Sequence, residues 1–522
     1  MAEAHLESSE ETWLGHPRGL FVLFFAEMWE RFSFYGMRGL LVFYLTRHFL
    51  FDDAQATGIY ATYGSLVYLM PVFGGLIADR YLGARRAIIF GAVLLCLGHL
   101  GMAFEGNAAT LVAGEVVRDA TSLQTFYFSI AFIIIGVGFL KPNISGIVGQ
   151  LYSEGDERRD GGFTIFYMGI NVGAMVSALT CGYLGETYGW SYGFGLAGIG
   201  MLVGLVTFIR GQHLFKGAGE PPEPERLRHR VIGPVSAEWI IYLMGLLAVL
   251  GVWVLVQYRD VVDWLLNTTG IVAVLGVIWF SLSRCTKVER DRMFVVLFLT
   301  AMSVVFWSLF EQAGSSMTLF ADRNVDREFM GMTMLASQLQ FLNPGFIILL
   351  APLFSMLWIR LARSGYEPST PLKFGLAIVQ VGLGFFALVY GASLADENGQ
   401  VALMWLILAY FLHTTGELCL SPVGLSMVTK LSVPRVVGLM MGVWFLASSV
   451  SHLVAGLIAG MATVSGGEAA AGTDSLVIYT ETFEFVTQVA VLVGVFVIVV
   501  SPFVRSFIHE TPISRNQVVE NK

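Results

Sequence analysis

The chain of 522 residues is 55% hydrophobic and only 13% charged, and its formal net charge is −8. A soluble globular domain has about 25% charged residues, so this composition excludes an ordinary soluble protein and indicates a membrane protein. The mean hydropathy of +0.69 agrees with that class. Outside the short connecting loops there is no long basic stretch, so nucleic-acid binding has no support.

The beginning of the chain does not resemble a cleavable signal peptide. Residues 1–16 are acidic rather than basic, and the apolar run that follows is longer than the hydrophobic core of a signal. We therefore expect the first membrane span to stay in the mature protein.

Fourteen apolar runs follow along the chain. A membrane helix needs roughly 20 apolar residues, and the runs lie near 19–47, 56–79, 85–105, 127–150, 162–185, 190–210, 237–257, 262–283, 290–313, 331–360, 371–392, 401–429, 436–462 and 478–506. They predict an all-α polytopic membrane protein of about 14 transmembrane helices, arranged as two six-helix bundles plus two additional helices. The polar segment 216–230 separates the groups, so we expect three units: residues 1–215, the linker 216–285 with its two helices, and residues 286–522.

Lys and Arg are distributed unevenly between the two sides of these spans. With a cytoplasmic N-terminus, the outward loops hold only five arginines: Arg47, Arg118, Arg259, Arg323 and Arg327. The inward loops hold many more, among them Arg80, Arg85, Arg86, Arg158, Arg159, Arg210, Lys216, Arg226, Arg228, Arg230, Arg284, Lys287, Arg290 and Arg292. The positive-inside rule then predicts a multi-pass protein of the plasma (inner) membrane with both termini in the cytoplasm.

The loop between the second and third spans has a distinctive pattern. Its sequence, GGLIADRYLGARRA (74–87), resembles the loop signature of the major facilitator superfamily. We expect Asp79 to cap or bridge neighbouring helix ends while the arginines stay at the cytoplasmic surface. The alternative is a tight turn with positive-inside residues. Together with two six-helix groups, this loop favours a duplicated transporter.

Charges in the middle of the first span need an explanation. Glu27, Glu30 and Arg31 lie in the stretch EMWERFSFYG, and Tyr35 and Arg38 follow. At 3.6 residues per turn, positions 27, 31, 34/35 and 38 form one stripe along the helix. An isolated charge at the bilayer centre costs about 2.5–3.5 kcal/mol, so we expect the stripe to face protein or water.

Other polar residues occur at similar depth in later spans. The first half adds Lys141, whereas the second half carries the lone carboxylates Glu311 and Glu417; neutral polar or aromatic residues are Tyr68, Asn171, Asn343 and Trp444. Opposite charges on two halves can pair in one conformation and separate in another, which gives an element that protonation could bias. Burial favours the neutral form of a carboxyl group, so buried glutamates are candidate proton sites. The alternative is a set of static structural ion pairs.

Five stretches together resemble the proton-dependent oligopeptide transporter family, a branch of the major facilitator superfamily. They are EMWERFSFYG (27–36), GFLKPNIS (138–145), FYMGINVGAM (166–175), FEQ (310–312) and GELCLSPVGLS (416–426). The resemblance covers essentially the whole chain, including the two extra helices of bacterial members. It implies symport of di- and tripeptides, driven by an inward proton gradient through alternating access.

The resemblance also implies roles for individual residues. Arg31 and Lys141 would attract the C-terminal carboxylate of the peptide, and Glu417 would receive its ammonium group. The other implied binding residues are Tyr35, Tyr68, Asn171, Asn343, Ser421 and Trp444. Proton coupling is implied for Glu27, Glu30, Arg31 and Glu311, and gating for the pairs Arg38–Glu311 and Lys141–Glu417. Protons are the coupling ion, no cofactor or metal is expected, and the protein is expected to function as a monomer.

The chain departs from the family signature at Phe34, and other functions stay open. Phe34 stands where many members have a tyrosine, so we expect one hydroxyl to be absent from the pocket. The second hypothesis is a carrier of another anionic or zwitterionic solute, such as nitrate or a peptide-like drug. A receptor or a membrane enzyme is a third, but no nucleophile–base constellation supports an enzyme. His99 and His452 are isolated in apolar runs, which favours packed histidines.

Overall fold

The computed structural model describes residues 12–153, 155–329, 331–463 and 473–509. The helices of the first half are α1 Arg18–Phe43, α2 Asp53–Ile77, α3 Ala84–Ala103, α4 Ala120–Gln150, α5 Arg158–Tyr188 and α6 Trp190–Gly211. Two of these continue as π-helical turns, Tyr44–His48 after α1 and Ala78–Leu82 after α2, and a 3₁₀ turn, Gln212–Phe215, follows α6. The segment after it contains α7 Pro224–Arg228, α8 Ala237–Leu255 and α9 Arg259–Arg284.

The second half begins with a helix that is interrupted near its end. α10 Lys287–Phe310 starts with a capping box between Thr286 and Glu289 and runs into a 3₁₀ turn, Glu311–Gly314, before α11 Ser316–Asn324. A second 3₁₀ turn, Gln338–Phe341, precedes α12 Leu342–Arg363. The remaining helices are α13 Thr370–Ala392, α14 Leu403–Leu431, α15 Val437–Met461 with a 3₁₀ turn Pro434–Val436 before it, and α16 Thr473–Ser506.

Short strands occur only in the connections of the described chain. Four antiparallel pairs join β1 Thr12–Trp13 to β2 His16–Pro17, β3 Thr110–Val112 to β4 Glu115–Val117, β5 Arg230–Ile232 to β6 Val235–Ser236, and β8 Glu328–Phe329 to β9 Met332–Thr333. One parallel pair joins β7 Val325–Asp326 to β10 Val401–Ala402. None of them builds a sheet of more than two strands.

The number of spans agrees with the sequence prediction. Thirteen helices of the described chain are long and apolar enough to cross a membrane. The first helix is not one of these thirteen, because the charged side chains in its middle lower its hydropathy, but it is buried along most of its length. With it the spans number fourteen, and the predicted all-α polytopic architecture is confirmed. The run predicted at 331–360 begins later, at the turn after residue 337, because residues 332–333 pair as a strand.

Helix packing forms two bundles that meet along two seams. α1 packs on α5 and α6, and α13 packs on α14 and α16. Between the halves, α2 packs on α15 and α5 on α12. Within the first half α2 and α4 approach so closely that a Cβ on Gly74 would lie 2.0 Å from the carbonyl oxygen of Gly138. Because glycine has no side chain, the backbones of α2 and α4 can approach each other at this crossing, and the side chains that follow Gly138 on α4 lie next to α2.

The two additional helices lie at the edge of the bundles. α8 packs on α4, and its Glu238 forms an ion pair of 2.8 Å with Arg86 of α3; α9 packs on α15 and α2. Only 17% of the apolar window of each helix is buried, which suits surfaces that face lipid. The three predicted units with their limits at 215 and 285 stay a prediction. The chain termini, residues 1–11 and 510–522, lie outside the described residues.

The two ends of the bundle differ in how the halves are joined. We call the "Arg47 end" the one containing residues 44–53, 104–119 and 315–341, and the "Arg85 end" the one containing residues 80–86, 151–157, 212–236, 285–287, 364–369 and 432–436. At the Arg47 end, Arg47 binds Glu186 at 2.8 Å and Asp322 at 2.5 Å, and Arg323 binds Asp53 at 2.5 Å. At the Arg85 end, no hydrogen bond or ion pair between described residues joins residues 12–215 to residues 287–509. The halves are therefore fastened together at the Arg47 end.

The expectation for Asp79 is wrong. Its side chain is exposed at the π-helical turn and makes no hydrogen bond or ion pair with a described residue. The arginines of the loop make the bridging contacts instead: Arg85 donates to the carbonyl of Ala218 at 2.6 Å and binds Glu220 at 2.7 Å. A guanidinium with five donors can join two partners where a short carboxylate does not reach.

Candidate functional site

A cavity of about 370 Å³ lies between the two halves. Its walls come from α1, α2, α4 and α5 on one side and from α10, α12 and α14 on the other. A second cavity of about 280 Å³ shares part of the wall, Tyr68, Trp307, Glu311 and Ser421, and extends to α15. We call these the central cavity and the side cavity.

The first cationic group of the central cavity is held within its own helix. Arg31 lies 3.2 Å from Glu27, one turn earlier, and also binds its neighbour Glu30. All three side chains are almost completely buried, and of these Arg31 and Glu27 line the central cavity, whereas Glu30 does not. Arg31 Nη2, Glu27 Oε2 and Glu30 Oε1 have no hydrogen-bond partner among the described residues. Burying polar atoms without hydrogen-bond partners costs free energy, so binding a further polar group would stabilise this cluster.

The second cationic group reaches across to the other half. Arg38 lies two turns after Arg31 on α1, binds Glu311, and donates through Nε to the hydroxyl of Tyr60 at 2.5 Å. Glu311 is the residue at which α10 gives way to the 3₁₀ turn. A Cβ on Gly314, at the end of that turn, would lie 1.9 Å from Tyr60 Oη. Glycine is therefore required for the turn to approach α2 and for this three-residue contact to form.

A glutamine fastens the interrupted helix to α15. The Gln312 amide donates to the carbonyl of Ala455 at 2.9 Å and to that of Ser308 at 3.1 Å, and its oxygen accepts from Ser316 at 2.6 Å. The side chain is completely buried. These bonds satisfy groups that a helix break leaves without partners, and they hold Glu311 in place.

The remaining charged groups of the central cavity lie apart from each other. Lys141 on α4 has its ammonium 4.0 Å from the ring centroid of Tyr68, a cation–π contact. Glu417 on α14 accepts from the amide of Asn343 at 2.9 Å, and that amide also donates to Thr414 at 3.1 Å. No ion pair joins Lys141 to Glu417 in the described chain, so the second predicted gate pair is not formed in this conformation.

The other residues singled out from the sequence also reach the cavities. Tyr35, Tyr68, Asn171, Asn343 and Ser421 line the central cavity, and Trp444 lines the side cavity. Asn171 donates to the carbonyl of Tyr167 one turn earlier, at 3.0 Å, so its amide oxygen is left for another donor.

Phe34 lies elsewhere, and the prediction of a missing pocket hydroxyl is wrong. Its side chain lines neither cavity and is 2% exposed. The ring lies behind Arg31, with its centroid 5.1 Å from the guanidinium carbon, and it packs against Tyr35 and Tyr63. Since successive helix residues are turned by 100°, Tyr35 points to the cavity while Phe34 points to α2.

Among the residues of the site that sequence reasoning missed are Tyr60, Tyr167, Trp307 and His452. Tyr60 could have been found, because it lies eight residues before Tyr68 and thus on the same face of α2. Tyr167 is part of the quoted stretch FYMGINVGAM. The sequence favours a packed histidine at position 452, whereas in the structure His452 borders the side cavity with Nε2 4.0 Å from Glu311.

The charges divide between the halves. Residues 12–215 contribute three cations, Arg31, Arg38 and Lys141, and one carboxylate, Glu27, whereas residues 287–509 contribute the two carboxylates Glu311 and Glu417. Such a field can hold a solute that is anionic at one end and cationic at the other. No group of three or more His, Cys, Asp or Glu in the described chain is placed to hold a metal ion. Two helical bundles around a charged central cavity, closed at one end, define a membrane carrier.

Comparison with known proteins identifies the kind of carrier. The POT family matches residues 85–474. The chain is 36% identical over 462 residues to the uncharacterized transporter YclF of Bacillus subtilis (87% of this chain, 89% of the relative). It is also 36% identical over 481 residues to the peptide transporter YePEPT of Yersinia enterocolitica (86% and 88%), and 35% identical over 472 residues to a di-/tripeptide transporter of Lactococcus lactis (86% and 90%).

Solved structures agree with this result. A variant of a peptide transporter POT in complex with alafosfalin superimposes with a TM-score of 0.80 at 33% identity, covering 96% of this chain and 98% of the other. A POT family transporter in complex with 5-aminolevulinic acid superimposes with a TM-score of 0.78 at 30% identity (95% and 98%). The chain belongs to the POT family, and its fold is that of the major facilitator superfamily. It is a transporter rather than an enzyme, and a multi-pass membrane protein.

Proposed function

We propose that the protein is a proton-coupled symporter that imports di- and tripeptides by alternating access. The observation that carries the proposal is the unequal division of charge across the central cavity, with three cations and one carboxylate on the first half and two carboxylates on the second. A peptide of any sequence has a carboxylate at one end and an ammonium group at the other. A site that binds the two ends accepts many side chains without reading them.

In this mechanism the peptide lies between Arg31 and Lys141 on one side and Glu417 on the other. Asn171 and Asn343 bond its polar groups, and Tyr35, Tyr68, Ser421 and Trp444 contact the remainder. The volume of about 370 Å³ lies in the range of small-ligand pockets. Relatives named di-/tripeptide transporters, and the peptide-like alafosfalin bound by a structural neighbour, support this substrate class.

Proton coupling acts through the pair Arg38–Glu311 and the cluster Glu27, Glu30 and Arg31. A proton on Glu311 removes the negative charge that holds Arg38, so the link between the halves weakens. The second gate is Lys141–Glu417, which a bound peptide replaces by presenting its own termini to each partner. The absence of that ion pair here suits a conformation in which the two groups are free for substrate.

The excess of Lys and Arg in the loops of the Arg85 end supports an orientation in which this end faces the cytoplasm and the helices span the inner membrane. The joined Arg47 end then faces outward, and the conformation is closed to the outside. Both termini are cytoplasmic in this proposal. The protein acts as a monomer and uses protons as its coupling ion, with no cofactor.

Uptake of labelled dialanine into proteoliposomes tests the proposal. An inward proton gradient should drive accumulation above the level reached at equal pH, and a protonophore should abolish the difference. Liposomes without protein are the control. Competition with unlabelled tripeptides, nitrate and a peptide-like drug defines the solute class. Failure of dialanine to enter under any gradient, together with strong uptake of nitrate, would replace the peptide proposal by the anion carrier.

A further inference from the structure

An imidazole lies beside the cross-half ion pair and takes no part in the mechanism described so far. His452 on α15 has Nε2 4.0 Å from Glu311 Oε1, while the other oxygen of the same carboxylate, Oε2, is bound by Arg38. The two oxygens of one carboxylate thus face two different basic groups. The His452 side chain is 6% exposed, and the residue borders the side cavity.

The ring is held in place by packing rather than by hydrogen bonds. It lies 4.8 Å from the ring of Tyr68, centroid to centroid, and Nδ1 has no hydrogen-bond partner among the described residues. A Cβ on Gly64 of α2 would lie 2.6 Å from Nδ1, so the glycine provides the space for the imidazole. A buried histidine with an unpartnered nitrogen and a carboxylate in front of it can accept a proton without giving up a hydrogen bond.

We propose that His452 is a proton-accepting residue of the transport cycle, and that its protonated imidazole shares the Glu311 carboxylate with Arg38. This inference rests on the proposed function, which it extends by one residue. A hydronium ion in the side cavity gives its proton to the ring nitrogen: one O–H bond breaks, one N–H bond forms, and water remains. The imidazolium then competes with Arg38 for Glu311, and the link between the halves weakens.

The groups around His452 fit this role from each packed element. Glu311, in the turn after α10, is the carboxylate that faces it; Arg38 of α1 and Lys141 of α4 are the cations within electrostatic reach, and Tyr68 of α2 adds a phenol. α14 contributes Ser421 to the same cavity wall. On α9, Arg259 pairs with Asp263 and lies beside Gly58 of α2. Gly58 is six residues before Gly64, so the two glycines are about 9 Å apart along the helix axis. Among these groups Glu311 is the carboxylate that faces His452, so an imidazolium at this position binds Glu311.

Uptake by His452→Gln in proteoliposomes tests the proposal, because glutamine keeps a polar side chain but does not take up a proton. Two rates are compared for labelled dialanine: proton-driven uptake, and counterflow at equal pH. We expect the ratio of the first to the second to fall about tenfold, within the usual range of a coupling free energy, while counterflow is retained. The matched control is His99→Gln, which removes a completely buried imidazole of α3 that borders neither cavity and should leave the ratio unchanged.

His452→Ser is measured in parallel, since Ser448 and Ser451 already line the same cavity. A wild-type ratio in either variant that retains counterflow overturns the inference. Loss of counterflow in both variants assigns His452 to packing and overturns it as well. Absence of proton-driven uptake by the unmodified protein would instead reject the proposed function itself, and with it this extension.

Discussion

Two arginines of α1 lie seven residues apart on the same face and are held in different ways. Arg31 is paired with Glu27 and Glu30, both on its own helix. Arg38 is paired with Glu311, which belongs to the other half of the molecule. When the halves move relative to each other, the first set of contacts can persist unchanged, whereas the second has to lengthen or break.

The difference indicates a division of labour along one helix. A cluster closed within α1 keeps a cation at the cavity wall in every conformation, which suits a group that binds substrate. A pair that spans the halves contributes to stability in one conformation only, so its free energy enters the balance between conformations. We therefore expect the intrahelical cluster to act in binding as well as in coupling and the pair between the halves to act in coupling alone, and the following experiments separate these roles.

The largest effect is expected for Arg31→Gln. The substitution leaves two buried carboxylates without their cation, and breaking a buried pair in this way costs about 3–5 kcal/mol. We expect counterflow and proton-driven uptake of dialanine to fall together by more than about 100-fold, and the midpoint of thermal unfolding to decrease. The matched comparison is Arg38→Gln on the same helix face. We expect this variant to lose less counterflow than Arg31→Gln. Counterflow of Arg31→Gln within tenfold of the unmodified protein would contradict a binding role.

The second effect concerns Glu311→Gln, which removes the charge that holds Arg38 across the cavity. We expect proton-driven uptake to fall by roughly 30-fold, a value inside the range of coupling free energies, while counterflow stays within about threefold. Both rates are measured in the same proteoliposomes at matched protein density. An equal loss of both rates would assign Glu311 to binding or to structure rather than to coupling.

The third effect lies at the Arg47 end. Glu186 has a buried side chain that binds Arg47 at 2.8 Å and accepts from Ser337 at 2.5 Å. Because Arg47 also binds Asp322, Glu186→Gln should weaken the closed end by only about 1 kcal/mol, or roughly a fivefold change in the ratio of open to closed molecules. Spin labels on cysteines introduced at the exposed positions Tyr188 and Leu394 report this as a longer distance.

A variant at the opposite end provides the control for that measurement. Asp156→Asn removes an ion pair of 2.7 Å with Arg158 at the Arg85 end and should leave the label distances unchanged. If Glu186→Gln gives the same distances as the unmodified protein, the contacts of Glu186 do not contribute to closure, and the ion pairs of Arg323 and Asp322 would have to hold this end.

Much of the site follows from the sequence, and the rest depends on contacts between helices. The stripe of Glu27, Arg31 and Arg38 follows from the helical repeat, because side chains separated by four or seven residues lie on one face. Its need for a protein environment follows from the cost of charge in lipid. Lys141 and Glu417 follow from the charges that lie inside later spans, and the resemblance to a family then implied their roles in binding.

Three features could not be read from the sequence, and each has a physical reason. The helix break at Glu311 is held by the bond from Gln312 to a carbonyl of α15, 143 residues later, and no local propensity encodes such a contact. The position of His452 beside Glu311 depends on the packing of α15 against α2, with Gly64 making room. The direction of the Phe34 side chain differs by a rotation of 100° from that of Tyr35. A polar stripe that allows either position 34 or position 35 does not tell which of the two side chains faces the cavity.

The smallest effect is expected for Phe34→Tyr, which tests that last point. Because the ring of Phe34 is buried behind Arg31 and lines neither cavity, the added hydroxyl does not reach a bound peptide. We expect the KM for dialanine to change by less than about threefold, and the free energy of unfolding to fall by about 1–3 kcal/mol if the hydroxyl finds no partner. The measurements are KM in proteoliposomes and thermal unfolding of the purified protein. A KM lowered more than tenfold would show that position 34 contacts the substrate after all, and that α1 turns a different face to the cavity during transport.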